Sequence, residues 1–162
     1  MKTMWIVAST FLPLSIFAET PSNPEIPVLS PVLKPQHAVE YRRGAFEVIG
    51  WHFKQLGAMV KGNTPFDKAA FAKGSEVISF MSNVPLEGFV KGTATGEEKG
   101  SDAKPEIWKN FNDFSTKMIA LQKESKTLAE VSKTGDETAM KKQFENTAKT
   151  CKSCHDDYRE KH

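Results

Sequence analysis

Two thiols and an imidazole stand together in the last stretch of this 162-residue sequence, as Cys151-Lys-Ser-Cys154-His155, and both cysteines of the chain are in it. C-x-x-C-H is the spacing of c-type haem attachment. On a helix, positions i and i+3 share a face, so both thiols can add to the two vinyl groups of one porphyrin. The histidine at i+4 from the first cysteine then points its imidazole at the iron. A thioredoxin-like dithiol wants the pair at a helix start after a strand, whereas this pair lies near the end of a helical segment. A structural zinc site needs two further ligands, and His37, His52 and His162 show no regular metal-ligand spacing. The motif therefore predicts one covalent haem c, anchored at Cys151 and Cys154, with His155 at the iron.

The rest of the chain must supply the walls. Apolar residues recur at helical spacing from Pro35 onward, and no alternating strand pattern competes. The first helix carries Val39, Phe46, Ile49, Phe53, Leu56 and Val60 and stops at Gly62-Asn63. The second opens with Thr64-Pro65, read as a cap followed by proline at the first helical position, and presents Phe66, Ala70, Val77, Phe80, Met81 and Val84 as its apolar side. Gly88 to Ala103 reads as a long loop. The third helix starts near Pro105, repeats Trp108, Phe111, Phe114, Met118, Leu121, Leu128 and Val131, and closes at Gly135. Thr134-Gly-Asp-Glu137 fits a capping box for the fourth, which carries Met140, Phe144, Ala148 and the motif itself. Four such helices with mostly short connections predict an all-α fold, an antiparallel up-down-up-down four-helix bundle.

Composition narrows the function. Hydrophobic residues make up 39% and charged residues 26% of the chain, which is neither disordered nor membrane-embedded in bulk. A formal charge of +2, with no basic run of five residues, excludes a dedicated nucleic-acid binder. Eleven Phe and three Trp against two Tyr form an apolar aromatic set suited to walls around a greasy group. Residues 1–18 read as a signal peptide: Lys2 is the positive start, Trp5–Phe17 is mostly apolar, and Ala18 offers the cut. Residues 19–36 hold five of the nine prolines and read as a mobile, partly polyproline II spacer. The domain proper is expected over 37–162, exported to the periplasm, and tethered to the membrane if the leader is retained.

Bundle geometry also predicts what faces His155. The first and fourth helices run antiparallel, so His155 should lie level with residues about two turns into the first helix, where Phe46 sits on the apolar side. Met59 is thirteen residues further on, roughly 20 Å along the axis, and is read as packing rather than as a ligand. His52, roughly 9 Å from Phe46 along the axis, is read as a surface or half-buried histidine.

These residues resemble cytochrome c′, the class II c-type cytochromes, over roughly residues 36–162. The resemblance rests on Ala38-Val-Glu-Tyr-Arg42, Gly57-Ala-Met-Val-Lys-Gly62, Asp102-Ala-Lys-Pro-Glu-Ile-Trp108 and above all Cys151-Lys-Ser-Cys-His-Asp-Asp-Tyr-Arg159. It implies a four-helix bundle, a homodimer, and one covalent haem with a five-coordinate, high-spin iron. It further implies His155 as axial ligand and Phe46 as the residue blocking the distal face, where many members carry leucine. Arg42 and Arg43 match positions near the haem propionates, Asp102 a loop residue at the haem edge, and Arg159 the proximal side.

The function this resemblance implies is binding of nitric oxide and other small gases such as carbon monoxide, protective under nitrosative stress. An electron carrier with an unidentified redox partner is the alternative. A peroxidase would want a distal histidine or acid, which Phe46 does not supply, so the chain is not expected to be an enzyme.

Overall fold

The computed structural model describes residues 24–161. The expected signal peptide, residues 19–23 of the spacer, and His162 lie outside the described residues.

Five α-helices are formed among the described residues. The first, α1, runs Pro35–Val60 with proline in its first turn, where the missing amide hydrogen costs nothing. His37 Nδ1 accepts from the Lys34 N–H at 3.2 Å, so this histidine serves the helix start. Helix α1 ends as the spacing predicts, with Gly62 at φ 75° and the Asn63 N–H returning to the Ala58 carbonyl at 2.9 Å.

Helix α2, Lys68–Met81, begins later than expected. The cap is Asp67 rather than Thr64, because its carboxylate accepts from the Ala69 and Ala70 N–H groups at 2.9 and 3.0 Å. A 3₁₀ turn, Pro85–Gly88, follows. The expected third helix is two pieces, a single turn α3, Glu106–Lys109, and the long α4, Phe111–Ser132. Asn110 leaves helical geometry between them at φ −123°, ψ 44°. Helix α5, Glu137–Tyr158, is capped by Asp136, which accepts from the Ala139 N–H, and not by Thr134. Thr134 instead closes the preceding turn, donating to the Val131 carbonyl.

α1 packs on α2 and α5, and α4 packs on the same two, which is the square of an up-down-up-down bundle. Two apolar clusters fill it. One is built on Leu56, Phe71, Ile78, Leu128, Met140 and Phe144. The other holds Phe89, Ile107, Phe111, Phe114, Met118 and Tyr158. Phe46 packs against both. Phe80, expected on the buried side of α2, is 74% exposed. The spacer is also more engaged than a free tether: residues 24–34 have no regular structure up to a turn at Ser30–Leu33, yet Ile26 packs on the second cluster.

The second cluster is closed by the loop and the C-terminal tail. The Lys104 N–H bonds to the Tyr158 carbonyl at 3.0 Å and the Glu160 N–H to the Asp102 carbonyl at 2.9 Å, an antiparallel bridge between Ala103 and Arg159.

Candidate functional site

A cavity of about 700 Å³ lies between the two clusters. Its apolar walls include Phe46, Ile49 and Phe53 from α1 and Phe114, Met118 and Leu121 from α4. The volume and wall chemistry are those of a site for a large apolar group with a few polar anchors.

α5 brings the motif to this cavity. Cys151 and Cys154, one helical turn apart, both line it, half-buried and not joined to each other. Burial raises both thiol pKa values, that of Cys154 to about 11 despite the lowering effect of the Lys117 ammonium. A reactive redox dithiol needs the opposite shift, so the two sulfurs behave here as protonated, weakly polar wall groups. His155 lines the same cavity. The residue is exposed overall, yet partial desolvation first, and then the Arg159 charge, lower its pKa against the opposing charge of Asp156. The neutral imidazole is thereby favoured, which is the form that can donate a lone pair to a metal.

All eight residues singled out from sequence line this one cavity: Arg42, Arg43, Phe46, Asp102, Cys151, Cys154, His155 and Arg159. His52 and Met59 do not; Met59 packs against the first cluster. His52 is half-buried, and a Cβ built at Gly74 of α2 would lie 3.7 Å from its Nδ1. Arg159 reaches Asp102 at 4.0 Å, both partly exposed, so the tail and the loop meet at the rim.

The two arginines divide differently from their sequence neighbourhood. Arg42 is 3% exposed. Its Nη1 donates to the Gly88 carbonyl at 2.8 Å and to Thr93 Oγ1 at 2.6 Å; its Nη2 donates to the Thr93 carbonyl at 2.6 Å and Ser101 Oγ at 2.8 Å. Four of the five guanidinium donors are thus committed to protein atoms. Desolvation lowers its pKa to about 10, partly opposed by the charge of Asp102. Arg43 is exposed, and a Cβ placed on Gly100 would come within 2.8 Å of its Nη1. Gly100 sits at φ +76°, so its lack of a side chain serves both the turn and this close approach.

Three participants carry no role at the site in the sequence pattern: Lys117 is not singled out, Met118 reads as helix core, and Tyr158 enters only as part of the motif. Lys117 on α4 lines the cavity, donates to Ser153 Oγ at 2.9 Å and pairs with Asp157 at 3.1 Å. Tyr158 donates to Asp113 at 2.6 Å beneath the motif. Met118 places a thioether in the wall. The Lys117 and Tyr158 pairs join positions at least 36 residues apart, and no local spacing announces them.

A sequence profile of the cytochrome c′ family matches residues 37–159. The chain belongs to that family. It is 36% identical over 128 residues to cytochrome c′ of Rubrivivax gelatinosus, covering 79% of this chain and 98% of the relative. To cytochrome c′ of Halomonas halodenitrificans it is 33% identical over 129 residues, covering 78% and 98%. Among solved structures, cytochrome c prime from Shewanella frigidimarina superposes with a TM-score of 0.76 at 38% identity, covering 79% of this chain and 98% of that one. A nitric oxide complex of a variant cytochrome c prime from Alcaligenes xylosoxidans superposes at 0.72 with 35% identity, covering 80% and 98%. The cofactor of the cytochrome c′ family is haem c, covalently held. The cavity fits it: two unpaired thiols one turn apart, an available imidazole, and apolar walls of sufficient volume.

Proposed function

We propose that this cytochrome c′ is an exported haem protein that binds nitric oxide and other small gases, in a role protective under nitrosative stress. Cys151 and Cys154 would hold the haem through thioether bonds, and His155 would be the axial ligand of its iron. Phe46 would wall the opposite face, with Arg42, Arg43, Asp102 and Arg159 at the periphery. When bound, haem c supplies an iron to which a diatomic gas can attach.

The observation that carries this reading is the placement of His155 from α5 and Phe46 from α1 on one cavity. A phenyl ring has no lone pair to offer a metal and no proton to offer a substrate. Phe46 excludes water and anions and leaves space for small neutral molecules. It is held in that position by its edge contact with Phe89, ring centroids 6.3 Å apart. Nitric oxide is named in structures of related proteins, which supports the same ligand class here. The sequence of the leader supports export to the periplasm, and no helix among the described residues is long and apolar enough to cross a membrane. A homodimer is part of the same reading.

The alternative of an electron carrier finds one specific support. Met118 brings a thioether to the cavity wall, and a methionine ligand would make a low-spin, six-coordinate centre of the carrier type. The absorption spectrum of the reduced protein separates the two. A high-spin, five-coordinate spectrum that changes on addition of nitric oxide is expected. A low-spin spectrum that becomes high-spin in Met118→Leu would overturn the gas-binding reading. Replacing Phe46 by Ala should speed carbon monoxide association about ten-fold, read by stopped flow; an unchanged rate would remove Phe46 from the distal face.

A further inference from the structure

One buried cation touches two parts of the cavity wall at once. Arg42 lies one helical turn before Phe46 on α1. Its guanidinium carbon is 4.7 Å from the centroid of the Phe89 ring, and Phe89 is the ring that packs edge-on against Phe46. Its Nη groups fix Gly88, Thr93 and Ser101, and Ser101 opens the Ser101–Ala103 section of the wall. Thr93 and Ser101 are themselves buried, and Ser101 Oγ donates on to the Thr93 carbonyl at 2.7 Å. At Gly88 an added Cβ would come within 2.8 Å of the Ala38 carbonyl oxygen and the Arg42 Cβ, so the loop is seated directly on α1. A buried guanidinium is costly unless its donors are filled, and here the loop fills them.

We propose that Arg42 is a positioning residue for ligand access: by holding Phe89 behind Phe46 and the loop wall at Ser101, it sets how often the distal face opens to a small molecule. This rests on the placement of Phe46 in the proposed function. A residue that gates access changes association and dissociation together and leaves equilibrium affinity nearly unchanged. A residue that only paired with a propionate would instead shift the reduction potential.

The test uses the reduced holoprotein and carbon monoxide. Arg42→Lys keeps the charge but loses the planar fork and the stacking on Phe89. It is expected to raise both association and dissociation rates about ten-fold, with affinity held within about a factor of two. Amide hydrogen exchange over residues 88–103 should accelerate in the same variant. The double change Thr93→Val, Ser101→Ala leaves Arg42 in place, and the same effects are expected from it in smaller measure. If Arg42→Lys does not fold, this pair decides by the same readouts. Unchanged rates in both, with Phe46→Ala still faster, would overturn the role of Arg42 and leave the gas-binding reading standing. A shifted potential with unchanged rates would also overturn it. Unchanged rates in Phe46→Ala as well would show that the reading beneath it has failed.

Discussion

Ser115 is buried on α4 with a hydroxyl that finds no hydrogen-bond partner, alone in this among the described residues. Desolvating a hydroxyl without returning a bond is unfavourable, and alanine is the better helix former. Ser115→Ala is therefore expected to stabilise the protein by about 1 kcal/mol, measured by urea unfolding; a loss of stability would mean that the hydroxyl is satisfied after all. At this scale the sequence was informative where chemistry is local. Cys151, Cys154 and His155 lie within one and a half turns, so spacing alone grouped them, and the fold brings all three to one cavity. The committed state of Arg42 was not legible, because its partners Gly88, Thr93 and Ser101 are 46 to 59 residues away and have no distinctive residue type.

Helix interiors were legible and helix starts less so. The apolar period from Trp108 through Phe111 and Phe114 runs across the break at Asn110, since residues on both sides face the same cluster. Periodicity reports the face, not continuity of the backbone. At α2 the expected cap, Thr64, gives way to Asp67 three residues on, whose carboxylate reaches two amides. The α4–α5 pairing carries a pH dependence. Burial first, then the bond to Asp113, raises the Tyr158 phenol pKa from 10.0, and the bond to Asp157 raises that of Lys117 from 10.5. Both groups keep their protons in the folded state at a pH where the unfolded chain has lost them. Their contribution is thus fully present below pH about 10 and declines as the pH rises through the folded values. Stability against urea should fall from pH 9 to 11, and Tyr158→Phe should flatten that fall; an equally steep fall in the variant would show that Tyr158 is not its source.

The whole molecule exposes large apolar groups away from the cavity's buried walls. Tyr41 and Val48, two turns apart on α1, are 45% and 39% exposed, and Phe80 projects from the neighbouring α2. Aromatic side chains of this kind carry much of the energy at protein interfaces. If the proposed homodimer buries Phe80, Phe80→Glu should weaken it at least about ten-fold, equivalent to about 1.4 kcal/mol, by sedimentation velocity, with the haem spectrum unaltered. A variant that stays dimeric would place the interface elsewhere. The overall architecture was legible because each helix buries one periodic side. The docking of Ile26 was not, since prolines at 24, 27 and 31 announce extended chain without saying what it lies against.

The order in which the cavity's parts occur along the chain also dictates an order of assembly. Phe46, Phe89, Ile107, Phe114 and Met118 all precede Cys151, so during synthesis the greasy residues of the trough exist in the chain before either sulfur of the motif does. The bridge that shuts the rim, Ala103 with Arg159, waits longer still. A newly made polypeptide therefore passes through an interval in which its most aggregation-prone surface is written but cannot be closed. The cavity cannot be complete until the last residues of the chain are made.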